Sequence, residues 1–429
     1  MPDDARARRR LPRAAPTAAT TALAAALAAT ALAPAPARAE EGGFPPTLRL
    51  GAGGDAFTLT PKGLLQLDLG RTFAQSRPGG PSGGFNPRRA RLGVEGEFGP
   101  GGDFGYSLTW DFGGSPGGRN RLYDAYATWS GLDPFEFRAG VYEASYSLQT
   151  EARAVDLLFL ERAAPIRAAS GIAAGSSRVG AGFEANGERW FAALNLTGGK
   201  VGPGSDSAQR GAVARVAGRP VATDALTLHL GLSGSLTWRP ARSEEGPSVG
   251  LSDAGELELD RDGGPLGTGD LRAERARTGV LEVGLNAGRL QTQVELVRIE
   301  VDRGGADSGE TLAFSGGYAQ VSYTLLGSPR RYDPSDASWL RPVPEEWGLD
   351  PSAGKWGALE VGARYSRLDL NDRDVRGGRQ EVVTAGLGWW PYQNIGLFAQ
   401  WQGVRVSRTE DGEEDRRYQA VSLRTALRF

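Results

Sequence analysis

The sequence predicts an all-β protein: a closed antiparallel β-barrel of about sixteen strands that crosses a membrane. Three observations predict it. An export signal opens the chain. Apolar and polar residues then alternate along many short segments, joined in turn by tight turns and by long polar loops. Beyond the leader no segment approaches the ~20 apolar residues of a spanning helix, so strands have to do any crossing.

The leader has a basic start (Arg6, Arg8, Arg9, Arg10, Arg13), an alanine-rich run from Ala18 to Ala33 and a small-residue site at Ala37-Arg38-Ala39. This reads as a signal peptide over 1–39 with cleavage before Glu40. Its removal takes four net positive charges from a formal −2 and leaves about −6, so a basic, nucleic-acid-binding surface is not expected. There is no cysteine, which excludes disulfides and thiolate metal sites. No cofactor or metal constellation is present. Glycine is abundant at 63 residues, as many tight turns require. The lysines are Lys62, Lys200 and Lys355, and arginine supplies the remaining positive charge.

After a Gly/Pro-rich lead over 40–54, the barrel is expected over 55–429. Leu64 to Leu69 opens the alternation. In Asn86-Pro87-Arg88-Arg89-Ala90-Arg91-Leu92-Gly93-Val94-Glu95-Gly96-Glu97-Phe98, the side chains of Ala90, Leu92, Val94 and Phe98 share one face. Arg89, Arg91, Glu95 and Glu97 share the other, because successive strand side chains point oppositely. In a membrane barrel the apolar face meets lipid and the charged face lines a lumen. Phe104 to Phe112, Leu122 to Trp129 and Phe135 to Tyr142 repeat the pattern, with Trp110 and Phe112 placed for an interfacial girdle.

From 144 to 177 the period of two stops. Val155-Asp156-Leu157-Leu158-Phe159-Leu160-Glu161-Arg162 is too apolar for a disordered loop, so the segment is expected to fold into the barrel; the alternative is a helical decoration outside it. Alternation resumes at 178–185, 190–197, 211–218 and 226–232, where His229 faces away from the leucines. The acidic, Gly-rich Ser243 to Arg277 is expected to be an exposed loop. Further segments follow at 280–287, 290–301, 312–325, 356–368, 381–389 and 395–406, with Gly288-Arg289 as a minimal turn. Val421, Leu423, Thr425, Leu427 and the terminal Phe429 share the last apolar face. A secreted all-β repeat is the competing fold, and it gives no reason for that terminal aromatic.

Arg88-Arg89-Ala90-Arg91-Leu92-Gly93-Val94-Glu95-Gly96, Thr109-Trp110-Asp111-Phe112-Gly113-Gly114, Asp124-Ala125-Tyr126 and Asp156 to Arg162 together resemble the phosphate-selective porin O/P family. So do Leu228 to Gly231, Gly316 to Gly327, Arg331-Tyr332, Gly357 to Glu360 and Ala363 to Leu370, and the likeness spans nearly the whole mature chain. The resemblance implies an outer-membrane homotrimer of sixteen-stranded barrels, each with an inward loop and an arginine ladder forming a narrow anion-conducting constriction. It implies passive diffusion of small anions, phosphate or polyphosphate among them. One departure bears on phosphate: the phosphate-specific members add a lysine cluster, and this chain holds only three lysines.

Alternation places Arg89, Arg91, Arg138 and Arg364 toward the lumen, with Arg88 at the strand entrance able to turn in. Arg162 and Arg167 come from the inward loop. Guanidinium forks stay charged and donate to phosphate or carboxylate oxygens, and cationic rings suit anion pores. The competing reading is that Arg89 and Arg91 pair with Glu95, Glu97 or Glu161 and only knit the wall. His229 has no serine partner and reads as a wall residue, so no enzyme activity is expected. The remaining alternatives are a general or cation-tolerant porin and a plugged structural barrel.

Overall fold

The computed structural model describes residues 38–39, 45–51, 56–76, 83–114, 121–202, 208–244, 246–259, 264, 266–344, 349–408 and 415–429. The export signal over 1–39 lies outside them apart from Arg38–Ala39, which pair with Arg49 and Leu48; most of the lead over 40–54 lies outside as well.

Sixteen antiparallel strands close on themselves. In chain order they are β1 (Phe57–Phe73), β2 (Gly84–Phe98), β3 (Phe104–Asp111), β4 (Arg121–Leu132), β5 (Phe135–Tyr142), β6 (Arg178–Asn186), β7 (Trp190–Lys200) and β8 (Arg210–Ala222). Then come β9 (Leu226–Arg239), β10 (Leu266–Ala287), β11 (Leu290–Arg303), β12 (Thr311–Leu326), β13 (Ala358–Asp372), β14 (Val375–Tyr392), β15 (Ile395–Ser407) and β16 (Arg416–Arg428). Each pairs with the next, and β16 returns to β1 with Leu423 opposite Leu69 and Arg428 opposite Leu64. Closure leaves no unpaired edge, which a lipid solvent requires. Leu69, Phe85, Leu92, Leu108, Leu196, Leu232, Leu296 and Leu423 are exposed on the outer face, as the alternation predicts.

The wall is uneven. β3 and β5 have 8 residues each, whereas β10 has 22. On the tall side the strands keep alternating, but the apolar residues change face along their length. In β11 the side chains of Val294 and Leu296 point out and those of Gln293 and Glu295 point in, but beyond them Val297, Ile299 and Val301 are buried inside while Arg298 is exposed. The lower stretch therefore has lipid as its outer solvent and the upper stretch has water.

The loop over 143–177 folds inward. It carries α1 (Leu148–Glu151), capped by the Ser147 hydroxyl on the Thr150 amide, and α2 (Ala164–Ala173), with Pro165 in its first turn where no backbone donor is lost. α2 touches every strand from β7 to β13, which a helix outside the barrel could not do. Ile166 and Ile172 join Val297, Ile299, Leu312, Phe314, Leu368 and Leu370 in one apolar cluster. Each such buried side chain contributes about 1.5–3 kcal/mol. Inward glycines make room: a Cβ on Gly362 would lie 2.7 Å from Leu158, and one on Gly316 would lie 2.9 Å from Pro165.

The segment expected as an exposed loop over 243–277 is different. Gly246–Asp253 pairs with the start of β10, and the chain then dips inward, burying Leu251, Asp253, Glu256 and Leu257. Asp253, Glu256 and Glu258 are not solvated decoration, because they meet the inward arginines Arg167 and Arg364. From the opposite, short-turn end, the connection over 327–357 sends a hairpin (Arg331–Asp333 with Ser338–Leu340) into the same lumen.

Candidate functional site

What these insertions leave open is a cavity of about 680 Å³ along β1 to β5, bounded on its other side by the 143–177 loop. Two bulges shape its wall. Gln66 pairs with Arg89 and Asp68 with Asn86, so β2 carries an extra residue there, and Arg88 turns inward beside Arg89. A second slip between Thr109 and Trp110 lets both Tyr123 and Asp124 of β4 face the cavity. Bulges re-aim side chains in this way, and simple alternation misses both.

Arg88 donates through Nε and Nη2 to Glu161 at 2.7 and 3.0 Å. Arg89, 5% exposed, donates to the Gln66 amide oxygen at 2.6 Å and has no ion-pair partner among the described residues. Arg91 donates to Asp111 at 2.9 Å while its guanidinium lies 3.4 Å from the centre of the Tyr123 ring. Arg138 bridges Glu136 (2.9 Å) and Glu184 (3.3 Å) beneath the rings of Tyr126 and Tyr142. Arg162 spends its donors on the carbonyls of Gln149, Thr150 and Ala152 at 2.9–3.0 Å and is hydrogen-bonded to no carboxylate among the described residues. Arg167 pairs with Glu258 and stands 3.5 Å from Asp253. All six line the cavity.

Arg364 does not. It points inward as the alternation predicts, but it is buried against Glu256, the Glu161 carbonyl and the face of Phe159. The inserted loops stand between it and the cavity.

The cavity also contains Lys62, Arg121, Arg153, Lys200 and Arg428, which the sequence reading did not single out. Two of the three lysines are therefore here. Around this opening eleven guanidinium or ammonium groups face four carboxylates: Asp124, Glu143, Glu151 and Glu258. Burial alone would raise the carboxyl of Glu143, but Arg162, Arg91 and Arg121 outweigh it and hold it below the usual range. Glu161, behind the wall, is likewise buried, and Arg88, Arg89 and Arg424 hold it well below that range. Glu151 goes the other way: burial pushes it up to about 8, so it is largely neutral at pH 7. Among the described residues no group of three or more His, Asp or Glu could hold a metal ion.

Much of the remaining lumen is packed, and several of its arginines are ion-paired. Arg215 meets Glu282 at 2.9 Å, and Glu282 also accepts from Ser233 and lies 3.1 Å from Nε2 of His229. His229 contacts the hydroxyl of Tyr332 in the short-turn-end hairpin at 2.8 Å, which makes it a wall residue bracing an insertion. Arg330 pairs with Glu360 at 2.6 Å and Arg424 with Asp68 at 2.6 Å.

Comparison with known proteins bears on this site. The family model described as phosphate-selective porin O and P matches residues 61–429. An uncharacterized protein of Caulobacter vibrioides is 28% identical over 393 residues, covering 86% of this chain and 73% of that protein. Among solved structures, a loop-deletion mutant of OmpT, an outer membrane protein of Vibrio cholerae, superposes with a TM-score of 0.55 at 10% identity, covering 87% of this chain and 99% of that one. An anion-selective porin from Comamonas acidovorans gives 0.51 at 14% identity, covering 86% and 100%. At such identities these structures speak for the barrel fold.

Proposed function

The chain belongs to the family of phosphate-selective porins O and P and is an outer-membrane porin, and on that premise we propose that its cavity passes small anions, phosphate among them, by passive diffusion. The observation that carries this reading is the cationic lining of the opening, in which Arg89, Arg121, Arg162, Lys200 and Arg428 make no ion pair among the described residues. At an effective dielectric of ~20, one unit charge 4 Å from a permeating anion contributes roughly 4 kcal/mol. Mobile ions screen more distant charges over about 8–10 Å, so these groups outweigh the mildly acidic whole.

Arg88, Arg89, Arg91, Arg138, Arg162 and Arg167 are the anion-pathway residues in this proposal. Of these six, Arg89 and Arg162 are the two that make no ion pair among the described residues. Arg364 serves as a brace. The protein works as a homotrimer, exported through a signal cleaved near Glu40. The low strands β3 and β5 support association: their eight residues fall short of the ~9–11 that a membrane strand needs, although β4 between them has 12, so a protein cover suits this side better than lipid. Reconstitution into a planar bilayer tests the proposal. Single channels with a reversal potential favouring chloride over potassium are expected; a cation-preferring pore, or no conductance, would overturn it.

A further inference from the structure

Resting on the porin reading, we propose a substrate class for this cavity: planar organic anions, above all aromatic carboxylates, which it favours over non-planar anions of equal charge and similar size. The wall of β4 and β5 carries three tyrosines, Tyr123, Tyr126 and Tyr142, all lining the cavity. Passing a small inorganic ion needs charge and width, and phenol rings supply neither.

The rings are arranged with the guanidinium groups. Arg91 lies 3.4 Å from the Tyr123 ring centre, and Arg138 lies 5.0 Å from that of Tyr126 and 5.5 Å from that of Tyr142. Tyr126 and Tyr142 meet edge to face with centroids 6.0 Å apart. The backbone permits this cluster only through Gly140, whose φ is +136° and whose missing Cβ would lie 2.6 Å from the Tyr126 Cα. Two of the phenol hydroxyls are already engaged, Tyr123 on Glu143 at 3.2 Å and Tyr142 on Asn195 at 2.9 Å. What those rings add to the cavity is π surface. Guanidinium planes stack on aromatic faces, so the Arg91–Tyr123 and Arg138–Tyr126 pairs form flat surfaces that are both cationic and polarisable.

A flat anion can lie along such a strip while its carboxylate meets Arg89 or Arg162, two of the cavity arginines that make no ion pair among the described residues. At about 680 Å³ the opening falls within the ~300–1,000 Å³ range of sites that hold small organic molecules. Ala154 and Val155 of the inward loop supply apolar lining. The cavity thus has a charged seat for a carboxylate and an aromatic wall for a ring.

The test compares benzoate with cyclohexanecarboxylate, which share charge and approximate size but differ in planarity and π character. Bi-ionic reversal potentials are measured against chloride on the reconstituted full-length porin, for wild type, for Tyr123→Leu/Tyr126→Leu and for Tyr123→Phe/Tyr126→Phe. In wild type benzoate is expected to be about threefold more permeant than cyclohexanecarboxylate. The Leu pair is expected to bring that ratio to about one and the Phe pair to keep it. Equal permeability in a wild-type pore that still prefers chloride to potassium would overturn the substrate class and leave the anion-porin reading standing. A pore that prefers potassium would overturn both. If the Leu pair fails to assemble, the wild-type ratio and the Phe pair decide alone.

Discussion

Strands β2 to β5 and strands β8 to β13 look into the same lumen and both present arginines to it, yet the two sides are built oppositely. On the β8–β13 side the buried guanidinium groups meet buried carboxylates: Arg215 with Glu282, Arg364 with Glu256 and, from the connection after β12, Arg330 with Glu360. Helices, hairpins and apolar side chains fill the space between. On the β2–β5 side arginines outnumber acids, Arg89 rests on a neutral amide, and the space stays open. An inward arginine is therefore not by itself a pore residue. Whether an insertion covers it divides scaffold from path, since Arg88, Arg91 and Arg138 stay open to the cavity although each has a carboxylate partner.

The difference can be broken at its strongest point. Arg215→Ala leaves Glu282 buried without its main partner and frees the Asp336 and Ala337 carbonyls of the hairpin. Removing one member of such a pair costs roughly 3–5 kcal/mol. The temperature at which the folded band converts on electrophoresis is expected to fall clearly, with Glu282→Gln/Arg215→Met milder than Arg215→Ala.

Acidity sharpens the open side. Glu151 is neutral below about 8, raised mainly by burial, with Glu184 and Asp336 pushing it further up and Arg215 pulling it down. Its raised value means that it gains negative charge only as pH rises through 8. Anion preference is expected to hold between pH 6 and 7 and to weaken by pH 9, and Glu151→Gln should flatten that dependence. An equally steep profile in the variant would remove Glu151 from the effect.

The smallest expected change is at the seam. Phe429 closes the barrel by exchanging backbone hydrogen bonds with Gly63 at 2.9 and 3.1 Å, and a Cβ on Gly63 would lie 2.4 Å from its ring. Gly63→Leu and deletion of Phe429 should each reduce assembled barrel in the membrane fraction while export continues; unchanged levels would argue against a seating role.

The barrel was legible because a strand between lipid and lumen must alternate. Even the change of solvent along β11 is written in the sequence, where adjacent Leu296 and Val297 mark the change of apolar face. Arg89, Arg91 and Arg138 were placed by the same rule. The two bulges were not legible, since alternation presumes an unbroken ladder; Arg88 was foreseen only as able to turn in, and Tyr123 not at all. The 243–277 segment misled because glycine and acid resemble a solvated loop. Leu251 and Leu257 were the available signal, but pairing of Glu256 with Arg364, 108 residues away, is a tertiary fact. Arg364 taught the converse: alternation gives the face but not what covers it.

Arginines on the open side that stand outside ion pairs set ion preference more strongly than the ion-paired ones. The direct measurement is the reversal potential in a potassium chloride gradient for wild type and for Arg89→Ala/Arg162→Ala. Wild type should prefer chloride, and the double variant should lose most of that preference while still conducting. A double variant as chloride-selective as wild type would contradict the claim.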